Sequence, residues 1–131
     1  MTEGLRTIVV AAAVIENHDS FFVTRRQKGV HLEGYWEFPG GKCEPGETLG
    51  GCLVRELREE LAVAARVGVE LFTTVHTYPE RRVELHFLRC DLVGEPAPQF
   101  GQQMRWVPRQ QLATLTFPPA DAELIVMLMK V

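Results

Sequence analysis

Residues 40–47 read Gly-Gly-Lys-Cys-Glu-Pro-Gly-Glu, and residues 55–60 read Arg-Glu-Leu-Arg-Glu-Glu. Because the first stretch holds three glycines and a proline, it is predicted to form a turn and neither a helix nor a central strand. The second stretch belongs to a predicted amphipathic helix with one apolar stripe. The stripe consists of leucines that recur every four residues: Leu49, Leu53, Leu57 and Leu61. Thr48 directly precedes this stripe and is the expected N-cap.

Three glutamates share one face of the predicted helix, at the edge of its leucine stripe. Glu56, Glu59 and Glu60 stand at positions i, i+3 and i+4. Like charges at these spacings repel by roughly 0.2–0.5 kcal/mol per pair, and Arg55, one turn before Glu59, relieves part of that repulsion. A divalent cation would relieve more, because Mg²⁺ takes oxygen ligands and usually keeps several waters and substrate phosphates. Glu47, in the turn before the helix, can bring a fourth carboxylate to the same place.

A solvated, salt-bridged surface helix is the ordinary interpretation of such a charged run. The residues in front of the run favour a different one. Gly41, then Glu47 six residues later, then the 55–60 run beginning eight residues after that, resemble the Nudix box, G-x5-E-x7-R-E-U-x-E-E-x-G-U with U apolar. The late glycine of this box is replaced by Ala62, which is followed by the apolar Val63. Since that glycine helps to end the helix, the departure concerns the end of the helix and not its acids.

Composition limits the class of protein. The chain has 131 residues, 46% hydrophobic and 24% charged, which is typical of a globular protein and enough for a single domain, residues 1–131. The net charge of −3 does not indicate a nucleic-acid-binding surface, so a polyanionic substrate would need local cations or a metal. The chain contains no apolar run of membrane-spanning length, and a cytoplasmic location is expected. Cys43, Cys52 and Cys90 match no disulfide or zinc spacing, so free thiols are expected.

The element pattern predicts an α+β fold, with a mixed β-sheet between helices. Strands are predicted over 7–15, 20–25, 35–38, 67–78, 82–92 and 104–107. Besides the central helix, a short helix is predicted from Pro108 to about Leu115, and a terminal helix from Ala120 to Lys130. The resemblance to the Nudix family implies an α/β/α sandwich, which this order of elements fits.

Other stretches resemble the MutT-type nucleoside triphosphate pyrophosphohydrolases of the same family. They are Thr24-Arg25-Arg26, Trp36-Glu37-Phe38-Pro39-Gly40-Gly41-Lys42 and Phe117-Pro118-Pro119-Ala120. The resemblance implies Mg²⁺-dependent attack of water on a (deoxy)nucleoside triphosphate, with Mn²⁺ as a second suitable ion. The products would be the monophosphate and pyrophosphate, and the role nucleotide-pool sanitation. Two alternatives stay open: a nucleotide-binding regulatory Nudix domain with little turnover, and a hydrolase of a nucleoside diphosphate derivative such as ADP-ribose.

The resemblance also implies roles for individual residues. The metal ligands would be Glu56, Glu59, Glu60 and the carbonyl of Gly40. Glu59 or Glu60 would also polarise the attacking water, Arg55 would orient the acids, and Glu47 would brace the loop or join the metal shell. The residues expected at the substrate are Arg26, Phe38, Pro39, Gly41, Lys42 and Asp121. The expected partner is thus a small nucleotide, with no nucleic acid polymer or membrane, bound by a monomer or homodimer.

Phe100 departs from many MutT-type proteins, which carry an acid in the loop before the last strand. Gln99, Gln102 and Gln103 lie nearby in the sequence and can position a water but cannot take its proton. The identity of the general base is therefore open, and Phe100 is expected to take no part in the chemistry.

Asp121 stands where the better-known 8-oxoguanine-selective MutT proteins have asparagine. An ionised carboxylate only accepts hydrogen bonds, so Asp121 is expected to favour a base edge that presents N–H groups. Cytidine nucleotides, or oxidised guanine nucleotides such as 8-oxo-dGTP, are the leading candidate substrates. The alternative is that Asp121 only complements the positive end of the terminal helix.

Overall fold

The computed structural model of this chain describes residues 5–130; residues 1–4 and 131 of the predicted domain lie outside the described residues. In chain order the elements are β1 (Arg6–Val14), β2 (Glu16–Asn17), β3 (Ser20–Arg25), β4 (Trp36–Glu37), β5 (Gly40–Lys42), α1 (Leu49–Leu61), β6 (Ala64–Thr77), β7 (Arg81–Val93), β8 (Met104–Pro108) and α2 (Ala122–Met129). The predicted α+β architecture with mixed strand pairing is confirmed, although the strands divide between two sheets.

The first sheet has the strand order β5-β1-β7-β6. Its central strands β1 and β7 are parallel, and the outer pairs are antiparallel. In the second sheet β3 pairs with β2 and β4 along one edge and with β8 along the other. Sequence periodicity did not reveal that the strands form two sheets. The strands of both sheets contain apolar runs, and a single residue separates the end of β1 at Val14 from the start of β2 at Glu16.

The side chains of β1 alternate between two hydrophobic clusters, as expected for a strand with two buried faces. Ala11 and Ala13 pack with the leucine stripe of α1, of which Leu53, Leu57 and Leu61 are fully buried. Ala12 and Val14 face the opposite cluster, which contains the buried residues of α2: Leu124, Ile125 and Leu128. The helix α1 begins as predicted, since the Thr48 hydroxyl accepts a hydrogen bond from the Gly51 N–H (3.0 Å).

The C-terminal segment differs from its prediction in the type of helix. The short helix predicted from Pro108 to Leu115 is a 3-10 helix over Arg109–Thr114. The terminal helix begins as a 3-10 turn over Pro119–Asp121 and continues as α2. Pro119 stands in this first turn, where its missing N–H leaves no helical hydrogen bond unmade. Within residues 5–130 no helix is both long enough and apolar enough to cross a membrane.

The prediction of free thiols is wrong for two of the three cysteines. Cys43 and Cys52 are joined by a disulfide, while Cys90 is free and buried. The bonded pair lies nine positions apart in the sequence, yet the loop after β5 folds back on the first turn of α1 and brings their Cα atoms to 5.2 Å. This approach depends on the path of the loop, which the cysteine spacing does not reveal.

Ala62 ends α1 in the left-handed conformation, with φ 50° and ψ 39°. Its N–H donates to the Arg58 carbonyl (3.0 Å), so the helix ends where the family glycine would end it. An L-residue is disfavoured in this conformation by roughly 1–2 kcal/mol, because its Cβ approaches the backbone.

We expect Ala62→Gly to raise the free energy of unfolding by about 0.5–1 kcal/mol, since glycine adopts positive φ without strain but is more flexible when unfolded. Urea denaturation followed by circular dichroism measures the change. The matched control is Ala122→Gly at a right-handed position (φ −55°), which should destabilise by a similar amount. A less stable Ala62→Gly protein would show that the positive φ is not strained.

Candidate active site

Two glycines of β5 allow the loop to lie directly against its neighbours. A Cβ placed on Gly40 would overlap the Ala11 carbonyl oxygen, and one on Gly41 would overlap the carboxylate of Glu56. A larger residue at position 40 would therefore push the loop away from β1, and one at position 41 would displace the Glu56 carboxylate. The glycines bring the backbone of the turn into contact with the first acid of the helix.

Arg55 connects this loop to the helix acids. Its Nε and Nη2 donate to the two carboxylate oxygens of Glu47 (2.7 and 2.8 Å), and Nη2 also donates to the Lys42 carbonyl (3.0 Å). Its Nη1 donates to Glu56 (2.9 Å) and Glu59 (3.2 Å). The Arg55 hydrogen bonds lower the pKa of Glu47 to about 2, and the pKa of Arg55 is raised in turn, chiefly by the same bonds. The pair with Glu47 therefore stays charged throughout the neutral range.

Glu60 is a half-buried acid near the end of α1. Burial is the main cause that raises its pKa, to about 8, and the carboxylates of Glu56, Glu37 and Glu59 raise it further. Glu56 is the largest of these charge contributions, so the two carboxylates lie near enough to repel. A divalent cation at this point would offset the same repulsion.

The donor chemistry of this cluster fits a hard metal ion. Its predicted ligands, Glu56, Glu59, Glu60 and the Gly40 carbonyl, all offer oxygen, which suits Mg²⁺ or Mn²⁺. As the side chains stand, no group of three or more acidic, histidine or cysteine residues in the described part of the chain is already arranged around a metal position. Arg55 holds one oxygen each of Glu56 and Glu59, which leaves the second oxygen of each carboxylate for a metal ion.

Arg26 and Glu37 form an ion pair next to the acid helix (2.9 Å). Arg26 also donates to the His31 carbonyl (2.5 Å), so it is fixed at the end of β3. A cavity of about 150 Å³ beside this pair is also lined by Glu60 and Phe100. The sequence patterns predicted no role for Glu37. An acid between Trp36 and Phe38 in a predicted apolar strand could have indicated a functional residue.

The predicted base-binding residues lie on the other side of Glu37. Phe38 is buried and stacks on Phe117 (ring centroids 5.4 Å apart), and Pro39 is fully buried, with its carbonyl bonded to the Ala13 N–H (2.8 Å). Both residues are thus buried in the protein interior, and the half-buried Phe117 packs against Phe38.

Asp121 is buried at the start of α2, with 6% of its surface exposed. Its side chain makes no capping hydrogen bond to the helix. Burial, and to a smaller extent the charge of Glu37, raise its pKa to about 7. At neutral pH its carboxyl group is therefore present in both forms, and the protonated form can donate as well as accept a hydrogen bond.

Phe100 lies at the surface with 60% exposure, as expected for an adaptable loop residue. The loop itself is tied to the end of α1, because Gln102 donates to the Glu60 carbonyl (3.0 Å) and its side-chain oxygen accepts from the Phe100 N–H (2.9 Å). Lys42, the last residue of β5, is exposed to solvent. A larger cleft of about 450 Å³ near Trp106 contains none of the predicted site residues.

The fold and this arrangement of glycine loop and acid helix define a protein of the MutT structural class. The E. coli ORF135 protein has a similar solved structure, with a TM-score of 0.86 and 32% identity over 95% of this chain and 90% of that one. A MutT protein from methicillin-resistant Staphylococcus aureus is also similar, with a TM-score of 0.78, 32% identity and coverage of 95% and 97%.

The family model described as NUDIX domain matches residues 10–127, and the chain belongs to the Nudix family of hydrolases. It is 37% identical to an 8-oxo-dGTP diphosphatase of Haemophilus influenzae over 92% of this chain and 90% of that protein. It is 33% identical, with the same coverages, to a CTP pyrophosphohydrolase of Escherichia coli. The chain is thus an enzyme, and Nudix hydrolases generally use a divalent metal ion.

We expect the free energy of unfolding to fall as pH rises from about 5 to about 8 in EDTA, partly through Asp121. The folded protein binds a proton at Asp121 up to about pH 7, whereas the unfolded chain releases it near its ordinary pKa of 3.8. The stabilisation from this bound proton is fully present below the unfolded pKa of 3.8 and is lost as pH rises through the folded pKa of about 7. Urea denaturation of wild type and Asp121→Asn across this range should differ in slope, by on the order of 2–3 kcal/mol in total. Parallel curves would contradict the raised pKa.

Proposed function

We propose that this chain hydrolyses (deoxy)nucleoside triphosphates to the monophosphate and pyrophosphate with Mg²⁺ as cofactor, as a single domain over residues 1–131. The observation that carries the proposal is the close approach of the Gly41 backbone to the Glu56 carboxylate, which brings the glycine loop against the helix that carries the predicted metal ligands. The similarity to an 8-oxo-dGTP diphosphatase and a CTP pyrophosphohydrolase supports the same reaction. The proposed setting is nucleotide-pool sanitation in the cytoplasm, with no nucleic acid polymer or membrane as partner.

The proposed roles are those that the family resemblance implies, and the Arg55 contacts support them. Glu56, Glu59 and Glu60 would hold the ion together with the Gly40 carbonyl, while Arg55 positions Glu56 and Glu59. When bound, the ion neutralises charge on the triphosphate and polarises the attacking water. Water adds to a phosphorus atom of the α–β phosphoanhydride and gives up a proton to solvent, the P–O bond between the α and β phosphates breaks, and the monophosphate and pyrophosphate are released.

We place the base beside Asp121, Phe38 and Phe117. A carboxyl group that is buried and makes no capping bond has hydrogen-bonding capacity left for a ligand. The absence of a capping bond also favours this role over the helix-end role. Because Asp121 is part protonated near neutral pH, it can meet a base edge that presents an N–H group or, when protonated, one that presents a carbonyl. Cytidine and oxidised guanine triphosphates remain the leading candidates.

We expect Glu59→Gln and Glu60→Gln each to lower turnover by about a hundredfold or more with the fold intact, because a charged metal ligand is lost. Pyrophosphate release is measured with a panel of normal and oxidised (deoxy)nucleoside triphosphates. Glu123→Gln, an exposed acid on α2, is the matched control and should keep the normal rate. Near-normal rates in both helix variants would place the catalytic centre elsewhere.

We expect Asp121→Asn to change the ratio of kcat/KM for CTP and 8-oxo-dGTP by about tenfold or more, since it replaces a titrating carboxyl by a permanent amide at the base. Initial rates with the two substrates, measured side by side at the same pH, supply the ratio. An altered stability with an unchanged ratio would remove Asp121 from the base site.

A further inference from the structure

The disulfide between Cys43 and Cys52 lies inside the proposed active-site motif. Cys43 is the first residue after β5, and its N–H is bonded to the Val9 carbonyl (2.8 Å). Cys52 is fully buried in the first turn of α1, and its N–H is bonded to the Thr48 carbonyl (2.9 Å). The bond therefore joins the sheet end of the loop directly to the helix that carries the acids.

The loop closed by this disulfide contains Glu47, the residue that holds Arg55. Within the loop, the Glu44 N–H donates to the Glu47 carboxylate (2.7 Å), and the Glu47 N–H donates to the Glu44 carbonyl (3.0 Å). Arg55, which is held by Glu47, in turn donates hydrogen bonds to Glu56 and Glu59 and so helps to fix their positions. A change in the freedom of the loop therefore reaches the acids through the Glu47–Arg55 ion pair.

We propose that Cys43 and Cys52 form a reversible thiol–disulfide site that clamps the glycine loop to the acid helix, so that peroxides close and dithiol reductants open the metal-binding arrangement. In the cytoplasm disulfides are rarely structural and are usually redox-sensing or catalytic. The inference rests on the proposed function in taking the clamped acids as the metal ligands.

The exposure of Cys43 and Cys52 determines which of the two sulfur atoms a reductant attacks first. Cys43 is half-buried next to the exposed residues 44–46, whereas Cys52 is inaccessible. A thiolate of the reductant attacks the Cys43 sulfur, the S–S bond breaks, and Cys52 leaves as a thiolate that takes a proton. The second thiol of the reductant then attacks the mixed disulfide and releases Cys43, and the reductant departs as its own disulfide.

Oxidation follows the reverse course with hydrogen peroxide as the oxidant. The Cys43 thiolate attacks one peroxide oxygen and becomes a sulfenic acid, with release of water after proton transfer. The Cys52 sulfur attacks the sulfenic sulfur, the disulfide forms, and a second water leaves. Cys90 does not compete, because it is buried and burial raises the pKa of its thiol to about 11.

The test compares protein treated with peroxide and protein treated with dithiothreitol, each then freed of reagent. Alkylation after denaturation and mass spectrometry should find only Cys90 modified in the oxidised form, and all three cysteines in the reduced form. In EDTA the oxidised form should melt about 5–10 °C higher. Reduction should raise the Mg²⁺ concentration that gives half of the maximal rise in Tm by about threefold or more, because the loop loses its preorganisation.

Three variants separate the clamp from other causes. Cys43→Ser and Cys52→Ala should each abolish both differences, whereas Cys90→Ala should keep them. Three alkylated cysteines after peroxide, equal Mg²⁺ midpoints in the two forms, or a redox response that persists in Cys43→Ser would each overturn the proposal. These readouts need no turnover, so a protein that hydrolyses no nucleotide would overturn the proposed function and leave the result on the clamp intact.

Discussion

The hydrogen bonds of the Arg55 guanidinium hold the active-site motif together. Two of its nitrogens bind the carboxylate of Glu47 in the loop, and a third contacts Glu56 and Glu59 on the helix. A planar group with several fixed donors suits this task, whereas lysine would offer one point of charge. The conformation of the loop is thus specified by a residue eight positions later in the chain, which explains why the spacing between Glu47 and Arg55 matters as much as their identity.

Arg55 alone cannot neutralise all the acids of the site. The remaining negative charge is shared among other carboxyl groups and raises their pKa values. Glu37 raises the pKa of Glu60 on the helix and also that of Asp121 at the start of α2. Glu37 itself is held by Arg26. The proposed metal site and the proposed base site therefore lie in one electrostatic field, with Glu37 between them. A cation that binds near Glu60 acts on the same group of carboxyls that includes Asp121.

Local sequence signals were sufficient for the centre of the fold. The leucine period and the Thr48 cap correctly predicted α1 and its start, because each depends on residues within one or two turns. The prediction of a turn was wrong for Gly40–Lys42, which form the edge strand β5 by pairing with the distant β1. Contacts between distant segments were not predictable in this way. The division into two sheets and the Cys43–Cys52 bond depend on how separate elements approach one another. The same holds for the effect of Glu37 on Asp121, which needs strand β4 and the start of α2 to lie side by side.

Ala62 and Phe100 depart from the family pattern, and the structure accommodates the two residues in different ways. At Ala62 the backbone keeps the family geometry and accepts strain, since the helix still ends in the left-handed conformation. At Phe100 the loop keeps its anchorage without an acid: the N–H of Ala97 bonds to the Leu61 carbonyl (2.7 Å), and that of Gln99 to the Glu60 carbonyl (3.0 Å). These bonds belong to the backbone and do not require a carboxylate. The loop is therefore placed beside the helix without contributing an acid from position 100, and the proposed chemistry depends on the acids that α1 itself carries.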